Sequence, residues 1–257
     1  MLTRALIIAI GLLVLMTGVA AAAPTVPWTL VATRPHDATA YTQGLVAYRG
    51  VLLESTGLLG QSTVRRVDAT TGQVLALRPL VANEYGEGLT VLAGSATQLT
   101  WTQRVLHTYD PTTLAVTGTR RYRFEGWGLT TNGQQLIASD GSATLRWLDP
   151  ATLRVTKTVT VTDEGAAIYD LNELEYRDGI IWANVWRSDR IALIDPATGK
   201  VRAWLNMARL RQRLSVPGDV FNGIARDPVT DHMVVTGKLW SQLFVIKLVG
   251  RVPAAPH

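Results

Sequence analysis

The segment NEYGEGLTVL, Asn83–Leu92, sets one acid, Glu87, between two glycines at the head of an apolar run. Desolvation disfavours the charged form of a carboxyl so placed and raises its pKa. An acid that titrates near neutrality is a competent proton carrier. The pattern recurs: QGL at Gln43, EGL at Glu87, WGL at Trp127, NEL at Asn172 and NGI at Asn222 each open an apolar run, with first residues 44, 40, 45 and 50 apart. A second set of unusual residues follows each of these by 11 to 16 positions: Glu54 and Ser55, Trp101, Ser139 and Asp140, Asn184 and Trp186, and Lys238. A strand running out and a neighbour running back bring both sets to one end. The resulting cup has tryptophan walls (Trp101, Trp127, Trp186), several amides, one acid and one lysine, which is the make-up of a small-ligand pocket.

Other chemistries lack their residues. The chain has no cysteine, so thiol nucleophiles and thiolate metal sites are excluded. His36, His107, His232 and His257 are scattered, without metal-ligand spacing. There is no GxSxG and no P-loop. The ring offers one convincing acid, too few for calcium. Neither metal nor cofactor is expected.

Each feature also has a plainer reading. A single tryptophan at a strand end usually packs between elements, and Glu87 alone could cap a turn. Asn172 and Asn222 could hold local backbone at strand starts. Glu173 and Glu175 point in opposite directions if they share a strand, and one of them is expected to brace a neighbour. Lys238 in VTGKLW either snorkels or serves as a positive electrode.

Positioning such a ring requires a repeat. Four turn signatures supply it: DATTG at Asp68, DPTTL at Asp110, DPATL at Asp149 and DPATG at Asp195, in steps of 42, 39 and 46 residues. In each, Asp caps backbone amides and a small or β-branched stretch follows; Pro presets φ in three. Alternating apolar segments flank them, as in TLRWLDP and LRVTKTVTV, and predict hairpins. Five strand starts some 40–50 residues apart, each followed by several short strands, predict an all-β, five-bladed β-propeller. The longest interval holds one short helical insertion near Leu205–Leu214. Gly44, Gly88 and Gly128 at three strand starts fit a crowded axis.

Residues 1–23 read as a signal peptide: Arg4, an apolar stretch from Ala5 to Met16, then small residues, with cleavage within Ala20–Ala23. Residues 24–257 then form a single domain, exported to the periplasm or secreted. No lipobox cysteine marks a lipoprotein, and no stable membrane association is expected after cleavage. The net charge is +5 and the pI near 9.7, but the arginines are dispersed, so nucleic acid is not an expected partner. A closed propeller leaves few strand edges, and a monomer is expected.

Eleven ordered segments, from YTQGL through ESTGLLGQSTVR, YGEGLT, LTW, FEGWGLTT, SDGS, LNELEY, IWANVW, IDPATGKV and FNGIARDP to TGKLW, resemble plant-type glutaminyl-peptide cyclotransferases. The likeness runs from about Pro35 to Phe244. It implies a five-bladed propeller, no metal, and conversion of the N-terminal glutamine of peptides or proteins to pyroglutamate with loss of ammonia. It also implies roles: Glu87 as the proton shuttle, Lys238 and Asn172 as groups facing the tetrahedral intermediate, and Gln43, Trp101, Trp127 and Trp186 as substrate-binding residues. Tyr41 and Tyr85 stand where the family commonly has phenylalanine; the aromatic wall is kept and two hydroxyls are added. A non-catalytic exported scaffold or ligand sensor, and a calcium-dependent propeller lactonase, are the competing readings.

Overall fold

The computed structural model describes residues 22–254. The predicted signal peptide, apart from Ala22 and Ala23, and His257 lie outside the described residues. No helix among the described residues is long and apolar enough to cross a membrane.

The repeated turns set the architecture. Asp68 Oδ1 accepts from the Thr70 amide (2.9 Å), the Thr71 amide (2.7 Å) and the Thr71 hydroxyl (2.9 Å). Asp110, Asp149 and Asp195 likewise bind the amide and hydroxyl of the threonine three positions on. The next position is left-handed in all four turns: Gly72, Leu114, Leu153 and Gly199. Glycine adopts that conformation freely and leucine does not. Leu114 is buried and Leu153 packs against a core cluster, which offsets the strain.

Strand β1 (Trp28–Pro35) precedes the first complete blade, made by β2 (Thr42–Tyr48), β3 (Val51–Thr56), β4 (Thr63–Asp68) and β5 (Val74–Pro79). The second blade is β6 (Gly86–Leu92), β7 (Ser95–Thr100), β8 (Val105–Tyr109) and β9 (Val116–Arg121). The third is β10 (Leu129–Thr131), β11 (Leu136–Ala138), β12 (Thr144–Leu148) and β13 (Val155–Thr160). A small hairpin, β14 (Thr162–Asp163) and β15 (Ala166–Ala167), leads to the fourth: β16 (Leu171–Arg177), β17 (Ile180–Val185), β18 (Arg190–Ile194) and β19 (Val201–Asn206). Helix α1 (Ala208–Arg211) then precedes β20 (Phe221–Arg226), β21 (Met233–Gly237) and β22 (Gln242–Leu248). These three strands complete the fifth blade with β1, in the order β20-β21-β22-β1. The Asp-led turns join the third and fourth strands of a blade. A fifth turn of the same kind, Asp227 binding the Thr230 amide and hydroxyl with Asp231 left-handed, joins β20 and β21 instead; the fifth blade takes its outer strand from the other end of the chain.

At the axis, backbone approaches backbone. A Cβ on Gly44 would overlap Leu89 of the next blade, one on Gly88 would overlap Leu129, and one on Gly128 would overlap the Asn172 carbonyl. The fourth blade has Glu173 in the corresponding place. Its two carboxyl oxygens accept from the Leu45 amide (3.2 Å) and the Ile224 amide (2.8 Å), tying the fourth blade to the first and fifth. Glu175 accepts from the Arg226 amide at 3.2 Å. Both acids therefore brace neighbours, where only one was expected to. Between blades, apolar side chains of facing sheets form five buried clusters.

Burial raises the Glu175 carboxyl to about 8, against hydrogen bonding from Arg226 and Tyr176 and the charge of Arg177. Burial also raises Glu173 well above the carboxylate range, reinforced by Glu175. Between the ordinary value of 4.5 and about 8, the folded chain keeps the Glu175 proton that the unfolded chain releases. Stability from this group is thus fullest below the unfolded value and is lost as pH rises through that window, by about 5 kcal/mol. Glu175→Gln keeps an oxygen for the Arg226 amide and carries no titrating proton. Urea denaturation at pH 5 and pH 8 should show a smaller difference for the variant than for the parent chain.

Candidate active site

Nine side chains line one cavity of about 170 Å³ at the axis: Tyr41, Gln43, Tyr85, Glu87, Trp101, Trp127, Asn172, Trp186 and Lys238. Gln43, Glu87 and Asn172 sit on the innermost strands β2, β6 and β16. Trp127 lies two residues before β10, while Tyr41 and Tyr85 immediately precede β2 and β6. Trp101, Trp186 and Lys238 lie just past the ends of the second strands β7, β17 and β21. Innermost strands start, and second strands end, at the same mouth, so residues far apart in sequence meet there.

Glu87 is 4% exposed and accepts from Gln43 Nε2 at 3.2 Å. Burial pushes its pKa well above the carboxylate range; Lys238 pulls it down and Glu125 adds to the rise. Lys238 is 3% exposed, and its ammonium lies 4.8 Å from the centre of the Tyr41 ring. Burial lowers its pKa, while Glu87 and Asp219 work to keep it charged. The acid and the base thus move toward one another, a pattern that suits proton traffic.

The rings form the wall. Trp127 and Trp186 meet edge to face at 5.7 Å, and so do Tyr85 and Trp101. The added hydroxyls face polar groups: Tyr41 faces Asp219 and Tyr85, and Tyr85 faces Gln43. Burial raises both tyrosines, so they remain neutral hydrogen-bonding groups. Asn172 supplies the one polar atom in the lining that is buried without a partner, its Oδ1. A buried acceptor of that kind calls for a donor from a bound molecule.

Asn222, placed in the ring by sequence, is fully buried and does not line the cavity. Its Nδ2 donates to the Thr42 carbonyl (3.0 Å) and to Gln43 Oε1 (3.4 Å). This orients the Gln43 carboxamide with its NH₂ toward Glu87. The other expected mouth residues also turn into the blades. Glu54 pairs with His36 at 2.9 Å, and Ser55 accepts from Gln98 at 2.6 Å. Ser139 donates to the Asn172 carbonyl at 2.7 Å, Asp140 pairs with Arg146, and Asn184 Oδ1 accepts from the Gly223 amide at 2.9 Å. Pleating sends successive side chains to opposite faces, so a strand end delivers only some of its polar residues to the mouth.

Two residues at the site were not singled out from sequence. Asp219, in the long connection after α1, faces Tyr41 and Lys238 and binds the Lys238 carbonyl through its amide at 2.8 Å. Glu125 accepts from the Trp127 indole at 2.9 Å and from the Trp101 indole as well. Asp219 carries no motif. Glu125 sits in FEGWGL, two positions before a tryptophan, and that proximity was its only signal. Among the described residues no group of three or more His, Cys, Asp or Glu is arranged to hold a metal ion.

Known proteins share this arrangement of chain. The chain is 44% identical over 225 residues to the glutaminyl-peptide cyclotransferase of Arabidopsis thaliana, covering 85% of this chain and 70% of that protein. It superposes on the crystal structure of Myxococcus xanthus glutaminyl cyclase with a TM-score of 0.82 at 34% identity, covering 88% of this chain and 98% of that one. A family model described as glutamine cyclotransferase matches residues 5–248. With the propeller and its axial cup, these matches place the chain in the glutamine cyclotransferase family.

Proposed function

We propose that the protein cyclises the N-terminal glutamine of peptides or proteins to pyroglutamate, releasing ammonia without a metal. The observation that carries this is the cup itself: one desolvated acid, one buried lysine and an aromatic cage around a cavity of about 170 Å³, space for one residue-sized group.

The reaction must curl a flexible side chain until the α-amine reaches the γ-carboxamide carbon. Holding two reacting groups in that geometry removes much of the barrier. Trp101, Trp127 and Trp186 enclose the methylenes. Gln43 and Asn172 offer amide groups to the substrate amine and carboxamide. The neutral amine nitrogen attacks the carboxamide carbon, and the carbonyl oxygen takes the negative charge. Lys238, with the Asn172 Nδ2 N–H, stabilises that oxyanion. The Glu87 carboxylate accepts a proton from the attacking nitrogen and passes it to the departing one. The old C–N bond then breaks, the carbonyl re-forms, and ammonia leaves. The proton balance closes on Glu87, which ends as it began.

The apolar leader fits export and action outside the cytoplasm. Peptides beginning with glutamine are the substrates of this reading. Incubating the purified protein with a Gln-initiated dipeptide, with and without chelator, tests it by ammonia release. Equal release in both arms is expected. No release in either supports a scaffold, and release lost on chelation indicates a metal enzyme.

A further inference from the structure

The cage is held from behind by a residue outside the cavity lining. Glu125 lies in the connection between β9 and β10. Its Oε1 accepts the Trp127 indole N–H at 2.9 Å and also the Trp101 indole N–H. The two indoles come from neighbouring blades, so a single oxygen ties one wall of the cup to the next. Trp101 is 40% exposed, and surface packing alone leaves such a ring free to tilt. Hydrogen bonds to an ionised acceptor are shorter and about twice as strong as neutral ones, and they fix direction. Trp127 in turn meets Trp186, and Trp101 meets Tyr85, each at 5.7 Å. The tilt of four rings therefore depends on where this carboxylate stands.

We propose that Glu125 is the positioning residue of the cage, holding Trp101 and Trp127 at the angle that curls the substrate glutamine. This rests on the cyclase reading of the site. Glu125 touches neither the cavity nor the reacting atoms; it acts through the indoles. Its charge has a second consequence. It faces Glu87 together with Lys238: burial lifts the Glu87 pKa most, Lys238 opposes that, and Glu125 adds to it.

The bonds and the charge separate cleanly by substitution. Glu125→Ala removes both. Glu125→Gln keeps an oxygen for the two indoles and removes the charge. Glu125→Asp keeps the charge but is one methylene short of both indoles. With a Gln-initiated dipeptide, Glu125→Ala and Glu125→Asp should raise KM about ten-fold or more, since small misplacements of a binding group are costly. Glu125→Gln should bring KM back to within about three-fold of the parent value, because the acceptor remains. It should also move the acid limb of kcat/KM to lower pH, since losing a nearby negative charge makes Glu87 easier to ionise. Titrating tryptophan emission with a pyroglutamyl dipeptide reads the cage without turnover; the response should survive in Glu125→Gln and be lost in Glu125→Asp. A parent-like KM and emission response in Glu125→Asp would overturn the proposal, as would Glu125→Gln being impaired as badly as Glu125→Ala. If the parent protein itself releases no ammonia, the cyclase reading fails. The emission of Glu125→Asp then decides alone whether this carboxylate orders the indoles.

Discussion

Glu87→Gln should reduce cyclisation by about 10²–10⁴-fold, the usual worth of a positioned proton carrier, and so below ready detection. The substitution is nearly isosteric. It keeps an oxygen for Gln43 Nε2, which now donates to Glu87 at 3.2 Å. What disappears is the site that takes the proton from the attacking nitrogen. Folding should not suffer. Glu87 is desolvated and lies near Glu125, so a neutral amide relieves an unfavourable burial of charge. The thermal midpoint should equal or exceed that of the parent chain near neutral pH. The parent's pH profile gives a companion reading. The carboxylate must be ionised to accept the first proton, so kcat/KM should rise with pH along an acid limb. That limb should lie above the ordinary carboxylate range, because burial raises the group. A Glu87→Gln protein cyclising a Gln-dipeptide at near-parent rates would remove Glu87 from the shuttle role.

Lys238→Met should lower kcat by about 10²–10³-fold, the measured worth of one preplaced oxyanion donor. Methionine keeps most of the volume in a position that is 3% exposed, which separates loss of charge from loss of packing. Its backbone is independently secured: the Lys238 amide donates to the Val220 carbonyl at 2.8 Å, and the Leu239 amide to the Ala40 carbonyl at 2.7 Å. A second effect follows from electrostatics. Lys238 is the group that pulls the Glu87 pKa down. Without it Glu87 is harder to ionise, and the acid limb should move to higher pH, opposite to the shift expected for Glu125→Gln. Finding kcat unchanged with only KM raised would reduce Lys238 to a group that binds substrate and transition state equally.

The repeat was readable because its parts obey local rules. Asp followed by Thr three positions on makes a turn wherever it occurs, and Gly44, Gly88 and Gly128 each stand where a Cβ would meet the next blade. Strand starts at fixed intervals then fix the ring, and with it which residues share a mouth. Two things were not local. The fifth blade's outer strand comes from Trp28–Pro35, which no turn signature announces. The facing of individual polar residues also escaped: Asn222 and Asn184 occupy strand positions much like Asn172, yet only Asn172 turns toward the cavity. The register slips at the same point in both innermost strands, between Leu171 and Leu174 in β16 and between Phe221 and Ile224 in β20, so the bulge does not separate Asn172 from Asn222. Their partners do: Asn222 is held by the Thr42 carbonyl and Gln43, and Asn184 by the Gly223 amide. Glu125 and Asp219 lie in connections without periodicity, where only the assembled loops give an acid its neighbours.

The last sheet, sewn from both ends of the chain, has a bearing on timing. In chain order every other blade strand lies between β1 and its partner β22, so β1 waits for all of them before it meets the edge that it will complete. Until then the wheel is an open arc with two unsatisfied rims, and the cup, whose lysine stands on that final sheet, has no far wall. Chemistry and ring closure therefore arrive together, in a single late step.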